Sequence, residues 1–255
     1  MKVLRGRVAV VTGAANGIGL GIANSLADEG VELVLADIDG DRLAQEAEHL
    51  RSSGSHVEVV VTDVGDPLAV QALAERTISR FGSVHIICNN AGILRGGRVW
   101  EVSLNDWDAV LRVDLMGVIY GLRSFVPLLL ASGEEGHVVN VASMASVVPV
   151  PGISPYNVAK HGVLALSETL HAELVQTGAP IGVSVVMPGR VSSRIGLARG
   201  QGPSALAPAE PGVIEAAEVG RQVVEAIRHE RLYVFTHPER IAEARSRFAR
   251  ITDPQ

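Results

Sequence analysis

Covalent cross-links are missing from this chain. Its 255 residues include one cysteine, Cys88, so no disulfide can form within it, which suits a reducing compartment. Cys88 lies in the apolar run Val84 to Cys88, where a small buried hydrophobe is expected. An excess of basic charge is also absent. Against 28 acidic residues stand 22 basic ones, a formal charge of −6, which excludes the clustered basic face of a nucleic-acid binder. No uninterrupted apolar stretch reaches the roughly 20 residues of a membrane span. The opening segment "MKVLRGRVAVVTG" runs straight into a strand pattern without a signal-peptide cleavage site. A soluble cytoplasmic protein is expected. The eight histidines, at 49, 56, 85, 137, 161, 171, 229 and 237, show no metal-ligand spacing with cysteine or carboxylates, so structural or surface roles are expected and no metal.

What is present is apolar sequence, 47% of the chain, cut into short strand-like and longer helical pieces. Strands are expected at Arg7–Thr12, Val31–Asp37, His56–Asp63, Val84–Asn89, His137–Ala142, Ile181–Met187 and Leu232–Thr236. They are rich in Val and Ile without alternation, as parallel strands covered on both faces are. Helical patterns fill the gaps at 17–29, 40–53, 66–81, 103–132, 155–177, 215–230 and 238–250, the last with Ile241, Ala244, Phe248 and Ile251 on one face. Gly30 and Gly178 stand where helices should end, and Ser103 with Asp106 reads as an acidic capping box. Strict βα alternation predicts an α/β fold, a single Rossmann-like doubly wound parallel sheet of about seven strands flanked by helices on both faces. No repeat or linker divides residues 1–255, so one domain is expected. The Gly-, Pro- and Ala-rich stretch 193–212 reads as a mobile substrate loop.

Ligands of such sheets bind beyond the carboxyl ends of the strands. There the first strand runs into Thr12-Gly13-Ala14-Ala15-Asn16-Gly17-Ile18-Gly19, glycines that allow a tight turn and a close approach to a pyrophosphate at a helix N-terminus. Asp37 closes the second strand. Its carboxylate can accept the hydroxyls of an adenosine ribose and repels a 2′-phosphate, and no Lys or Arg among Ala14, Ala15, Asn16 and Ile38 offsets that, so NAD is expected over NADP. Asp63-Val64 and Asn89-Asn90-Ala91-Gly92 end the third and fourth strands. Further on stands Ser154-Pro155-Tyr156-Asn157-Val158-Ala159-Lys160.

On these residues the chain resembles the short-chain dehydrogenases/reductases. Thr12 to Gly19 is similar to that family's TGxxxGIG, Asn89 to Gly92 to its NNAG, Tyr156 to Lys160 to its YxxxK with Ser143 upstream, and Pro188-Gly189 to its PG turn. The resemblance implies that Gly13, Asn16, Gly17, Ile18, Gly19 and Asp37 hold the pyrophosphate and adenosine side. It puts Asp63 and Val64 beside the adenine and Asn90, with Ala91 and Gly92, near the adjoining ribose. Tyr156 and Lys160 would contact the nicotinamide ribose. Pro188, Gly189, Val191 and Ser193 would lie along the carboxamide side, Ser193 where the family usually has threonine. The family's fourth catalytic residue, an asparagine in the helix after NNAG, corresponds to Asp114. Asparagine donates and accepts, whereas an ionised aspartate only accepts. Asp114 is kept as a relay residue, serving by pinning a helix distortion. The resemblance also implies a homo-oligomer, a tetramer or a dimer.

Ser154 suits an N-cap and Pro155 a first helical position, which puts Tyr156 in the first turn and Lys160 on the same face. A phenol has a reference pKa near 10, and a useful base needs about 3 units less, roughly 4 kcal/mol. A helix N-terminus supplies about 0.3–1 kcal/mol. An ammonium about 6 Å away at an effective dielectric near 20 supplies roughly 3 kcal/mol. Lys160 is thus expected to be the larger influence, with the positive nicotinamide supplying the rest. The expected reaction interconverts a secondary alcohol and a ketone: Tyr156 moves the proton, Ser143 holds the oxygen, and hydride passes to or from NAD. A catalytically weak or inactive dinucleotide-binding sensor or scaffold of the same fold is the alternative, and Asp114 speaks for it. Ile93, Leu94, Val147, Val150, Ile195 and Leu197 suggest an apolar or cyclic substrate, with Arg95 or Arg190 available to an anionic group. Arg240, Arg245, Arg247 and Arg250 are expected to form a solvated face, and Trp100 and Trp107 to pack near the pocket or a helix interface.

Overall fold

The computed structural model of the chain describes residues 1–192 and 212–253. Ser193, Ile195, Leu197 and the stretch 193–211 lie outside the described residues. The elements run β1 (Val8–Thr12), α1 (Gly17–Asp28), β2 (Glu32–Asp37), α2 (Gly40–Ser52), β3 (Val57–Val61), α3 (Pro67–Phe81), β4 (Ile86–Asn89), α4 (Leu104–Leu111) and α5 (Gly117–Ser132). There follow β5 (Gly136–Val141), α6 (Ser154–Thr177), β6 (Ile181–Met187), β7 (Arg190–Val191), β8 (Val213–Ile214), α7 (Ala216–His229), β9 (Tyr233–Phe235) and α8 (Ile241–Thr252). Seven strands form one sheet in the order β3-β2-β1-β4-β5-β6-β9, every neighbouring pair parallel. The short pair β7 and β8, which the apolar pattern does not announce, stands apart from it.

The sheet is covered on both faces. Ala9 and Val11 of β1 point into a core with Ile22 and Leu26 of α1, Leu43 of α2 and Val223 of α7, while Val10 between them points into a second core with Leu73 of α3, Phe125 of α5 and Val163 of α6. Fully buried Leu, Ile and Phe side chains of this kind each contribute roughly 1.5–3 kcal/mol. On the first face α1 and α7 touch backbone to backbone: a Cβ on Gly21 would lie 2.3 Å from the Ala216 carbonyl oxygen, and one on Gly220 2.1 Å from that of Gly21. Cys88 is buried, as expected, and burial pushes its thiol up to about 12.

The order in which strands are added reverses between β1 and β4, because β2 and β3 step outward on one side and β4 returns to pair with β1 on the other. The crevice that such a reversal opens lies beyond Thr12 and Asn89.

Several expectations need correction. The long helix over 103–132 is two helices joined by a π-helical turn, Arg112–Met116, since one extra residue in the backbone spiral leaves the spacing of apolar side chains almost intact. The capping box holds: the Ser103 hydroxyl accepts from the Asp106 amide at 3.1 Å and donates to its carboxylate at 2.7 Å. Leu104–Ser132 also reaches the length and mean hydropathy, 1.6, of a membrane-crossing helix, although an uninterrupted apolar run is missing. Its Val110, Val118, Phe125 and Leu129 are nevertheless core residues. Ser154 is the first helical residue of α6 and Ile153 its cap, because the incoming chain is already held by a bridge from Gly97 to Ile153 and by Asn157 bonding both polar atoms of Val150. Trp100 is 79% exposed, in the turn before α4, and is packed into no helix interface among the described residues. Of the face expected on α8 only Ala244 is buried, with Phe248 and Ile251 in solvent.

Two buried histidines make the fold acid-sensitive. In β5 the His137 ring shares a 2.8 Å hydrogen bond with the Ser184 hydroxyl, which itself donates to the Arg231 carbonyl, so the ring donates from Nε2 and Nδ1 has no partner among the described residues. Burial, with a smaller push from the N-terminal ammonium, lowers its pKa to about 3. Burial also lowers that of His85, with Arg7 adding to the effect. Groups with depressed folded pKa values stabilise fully above the unfolded value of about 6.5, and that contribution drains away as pH falls towards 3. From about pH 8 to about pH 5, His137 alone should remove about 2 kcal/mol of unfolding free energy. Urea titrations across that range should show the loss, and His137→Gln should flatten it. An equally steep loss in the variant rejects the assignment.

Candidate active site

Thr12 ends β1, and its hydroxyl donates to the Cys88 carbonyl at 3.3 Å while accepting from the amides of Asn90 at 3.0 Å and Ala91 at 3.2 Å. The Asn90 side-chain amide donates to the carbonyls of Thr12 at 2.8 Å and Gly13 at 3.2 Å. The loop after β4 therefore clamps the turn after β1. Glycine is required there: Gly13 has φ +67°, and a Cβ on it would lie 2.8 Å from both Ala91 Cα and Asn90 Nδ2. Helix α1 begins at Gly17 behind Asn16, whose side chain caps nothing, so the first amides of α1 have no partner within the helix.

Asp37, at the end of β2, is half-buried; its carboxylate accepts from the Ala15 amide at 2.9 Å and the Asp39 amide at 3.0 Å. Arg42, which the sequence reading did not weigh, comes back to the same turn from α2. It donates to the Ala15 carbonyl at 2.7 Å and lies 3.8 Å from Glu46. Asp63 accepts from the Gly65 amide at 2.8 Å and lies 3.9 Å from Arg112.

At the other end four segments meet around a buried ammonium. Lys160 Nζ donates to the Val141 carbonyl, the last of β5, at 3.0 Å, and lies 3.4 Å from Asp114 Oδ2 in the π-helical turn. It also stands 5.4 Å from the centre of the Tyr156 ring. The Lys160 and Asp114 side chains are 3% and 0% exposed. Asp114 Oδ1 accepts from the Ile93 amide at 2.8 Å; among the described residues Oδ2 has no aligned hydrogen bond, only the ion pair. Gly92 leaves room for this arrangement, since a Cβ there would be 3.0 Å from Asp114 Oδ2. Ser143 caps a 3₁₀ turn, Met144–Ser146, accepting from the Ala145 amide at 3.1 Å, and its side chain lines the cavity together with Tyr156.

The electrostatics differ from the expectation. The Tyr156 pKa is raised, not lowered: loss of hydration is the largest cause, Lys160 opposes it, the Asp114 charge adds to it, and the Ser143 hydroxyl opposes it. Water reaching the half-buried ring weakens the hydration effect, whereas nothing shields Asp114. Burial likewise pushes the Asp114 carboxyl above the usual carboxylate range, against the pull of Lys160 and the Ile93 amide. A helix-local view pairs Lys160 with Tyr156 and overlooks the carboxylate that arrives from another helix.

One cavity of about 610 Å³ joins the two ends. It is lined by Gly13, Asn16, Gly17, Ile18, Asp37, Asp63, Val64, Asn90, Ala91, Gly92, Ser143, Tyr156, Lys160, Pro188, Gly189 and Val191. Gly19 lies behind the glycine turn, and Asp114 is buried against Gly92. Ile93, Leu94 and Val150 wall the cavity as expected, joined by Met144 and Ile153, whereas Val147 is turned into the core. Of the two candidate arginines Arg190 lines the cavity; Arg95 is drawn aside by Asp106 at 3.7 Å and the Leu94 carbonyl. Arg240 also lines the cavity while held by Glu243, and Arg247 donates to the Val147 carbonyl, so neither belongs to a purely solvated face. His237 was not foreseen as a site residue. It is buried, its Nδ1 accepts from the Gly189 amide at 3.1 Å, and its ring fills the space that a Cβ on Gly189 would need, which fixes the Pro188-Gly189 wall.

Comparison with known proteins agrees with this geometry. The family model described as short chain dehydrogenase matches residues 7–202. The 1-deoxy-11-beta-hydroxypentalenate dehydrogenase of Streptomyces avermitilis is 39% identical over 241 residues, covering 92% of this chain and 86% of its own length. Among solved structures, a short chain dehydrogenase/reductase from Burkholderia phymatum in complex with NAD superposes with a TM-score of 0.93 at 38% identity, over 99% of this chain and 96% of that one. A short chain dehydrogenase from Burkholderia cenocepacia in complex with NADP gives 0.81 at 27% identity, over 92% and 98%.

The clamp on the glycine turn has a measurable consequence. A Cβ on Gly19 would meet the Gly13 carbonyl oxygen at 2.1 Å and Asn90 Nδ2 at 2.5 Å, so Gly19→Ala should cost about 1–3 kcal/mol and lower the melting temperature. Gly162→Ala in α6 meets only the methyl ends of Leu115 and gains helix propensity, so it should melt no lower than the parent. Equal melting of the Gly19 variant and the parent contradicts the clamp.

Proposed function

We propose, on the premise that this chain belongs to the short-chain dehydrogenase family, that it is an NAD(H)-dependent oxidoreductase interconverting a secondary alcohol and a ketone. The observation that carries the reading is the convergence of Ser143, Tyr156 and Lys160 at one end of a cavity whose other end is the glycine turn. The turn fits a dinucleotide: Gly13 leaves the space a side chain would fill, and the first amides of α1 are unpaired within the helix. Gly13, Asn16, Gly17 and Ile18 would hold the pyrophosphate, Asp37 the adenosine ribose, Asp63 and Val64 the adenine side, and Tyr156 and Lys160 the nicotinamide ribose. Bound there, the nicotinamide supplies the hydride acceptor for oxidation and the donor for reduction.

In oxidation the ionised Tyr156 oxygen takes the proton of the alcohol, which Ser143 holds by its hydroxyl. Lys160 favours the ionised phenol by its charge. In reduction the neutral Tyr156 returns the proton to the carbonyl oxygen. Asp114 stands at the relay position and, by accepting from Ile93, fixes the widened turn beside Lys160. Ile93, Leu94, Met144, Val150 and Ile153 favour an apolar or cyclic substrate, in line with a relative named for a hydroxypentalenate. NAD is preferred because Asp37 would face the 2′-phosphate of NADP, and the Arg42 guanidinium is engaged by Ala15 and Glu46. The proposal includes one domain over residues 1–255 with 193–212, Ser193 among them, as its substrate loop. It also includes a cytoplasmic site of action and a homo-oligomer, dimer or tetramer. A sensor without turnover is the second reading, favoured only by Asp114.

Two substitutions test this. Tyr156→Phe should reduce turnover by roughly 10²–10⁴-fold, followed as NADH absorbance over a panel of secondary alcohols, with NAD binding nearly intact by calorimetry, since one contact to the ribose is lost among many. Retained turnover in the variant, or none in the parent across the panel despite NAD binding, defeats the assignment. Asp37→Ser should weaken NAD binding by about tenfold, the worth of one or two charge-assisted hydrogen bonds, and narrow the preference over NADP. An unchanged ratio of the two affinities would remove the basis for NAD.

A further inference from the structure

A carboxylate stands where the proton-transfer scheme needs no negative charge. Asp114 is fully buried, its Oδ1 is committed to the Ile93 amide at 2.8 Å, and its Oδ2 faces Lys160 Nζ at 3.4 Å with no other partner among the described residues. That lysine is the cation beside Tyr156, 5.4 Å from the ring centre. A phenol this close feels the sum of the two charges, and the carboxylate, screened by no solvent, subtracts from what the ammonium contributes.

Among the described residues the neighbourhood holds few other charges. Tyr156 is faced by Lys160 from its own helix, Asp114 from the π-helical turn and the Ser143 hydroxyl from the end of β5. Asp114 is faced by Lys160 and the Ile93 amide. Arg112, on the same turn, is half-exposed and pairs with Asp63. His161, next to Lys160, bonds the Asn157 carbonyl within α6. On the cavity wall Arg240 is held by Glu243, and Arg190 stands beyond Gly189.

We propose that Asp114 is a charge-balancing residue: it offsets the Lys160 charge felt by Tyr156 and so sets the working range of the site at higher pH than a neutral amide in its place would. The lysine is then held buried in the free protein without ionising the phenol. On the functional reading given above, the positive charge of the oxidised cofactor completes the activation, so the base is formed chiefly when NAD is bound.

Asp114→Asn keeps the acceptor for Ile93 and removes the charge. The first readout needs no turnover: tyrosinate absorbance of the free protein is titrated with pH, and the signal of Tyr120 and Tyr233 is subtracted using Tyr156→Phe. In Asp114→Asn the Tyr156 midpoint should fall by at least about one pH unit. The second is the acid limb of kcat/KM for alcohol oxidation with NAD, which should move down in parallel. A midpoint that stays or rises overturns the proposal. A midpoint that falls while the rate profile stays supports the charge balance and overturns Tyr156 as the base. Should Asp114→Asn not fold, Asp114→Ser carries the same test.

Discussion

The ammonium of Lys160 lies almost wholly out of water, and the architecture of the site follows from how that charge is tolerated. An unpaired cation so placed costs several kcal/mol, and it persists where a counter-charge and hydrogen-bond acceptors are fixed in advance. Here the last carbonyl of β5 and the carboxylate of the π-helical turn supply them, and the loop after β4 fixes that carboxylate through the Ile93 amide. The widened helical turn is therefore coupled to the charge: it delivers Asp114 to the lysine. Gly92 is the vacancy that lets the three segments close on one another.

The sheet makes such convergence possible, and a second buried polar chain keeps it rigid. Asn89 at the end of β4 donates to Asn140 of β5 at 2.8 Å, Asn140 donates to Ser167 of α6 at 3.0 Å, and Ser167 donates to the Val163 carbonyl at 2.7 Å. Lys160, Val163 and Ser167 share one face of α6, so the bond that ties Ser167 to the sheet also sets the angle at which Lys160 enters it. Each member is satisfied, the condition under which a buried polar network specifies one arrangement. At the other end of the cavity Thr12 and Asn90 do the same for the glycine turn. Both ends of the cavity are thus held by the ends of β4 and β5, next to the point where the strand order switches between β1 and β4.

Much of this was legible in the sequence. Strand positions follow from dense β-branched runs, and the motif residues occupy strand ends as the parallel topology requires. What escaped was non-local or geometrically silent. Extra backbone in a helix leaves the apolar spacing nearly unchanged, so Arg112–Met116 read as ordinary helix. The i,i+4 relation of Tyr156 and Lys160 is local, and it suggested a lowered phenol pKa; the opposing influences, burial and Asp114, come from packing that no window of sequence contains. Arg240 reaches the cavity and His237 backs its Gly189 wall because β9 lies beside β6 and carries the C-terminal turn over Pro188-Gly189, a tertiary accident of neighbouring strands. Ser154 failed as a cap because the chain before it was already fixed by Gly97 and Asn157.

The two ends of the cavity differ in charge. Asp37 and Asp63 stand at one end, and Arg190 and Arg240 belong to the other. Asp37 is already engaged by two backbone amides, yet an ionised carboxylate offers about four acceptor sites, so two remain for hydroxyl donors. A ribose with both hydroxyls free can fill them without displacing the amides that hold the side chain still. A 2′-phosphate, fully or largely ionised at neutral pH, brings acceptors and charge instead of donors. On the proposed reading the same carboxylate therefore does two things with one geometry: its amide partners brace the glycine turn against β2, and its remaining lone pairs select which dinucleotide that turn receives.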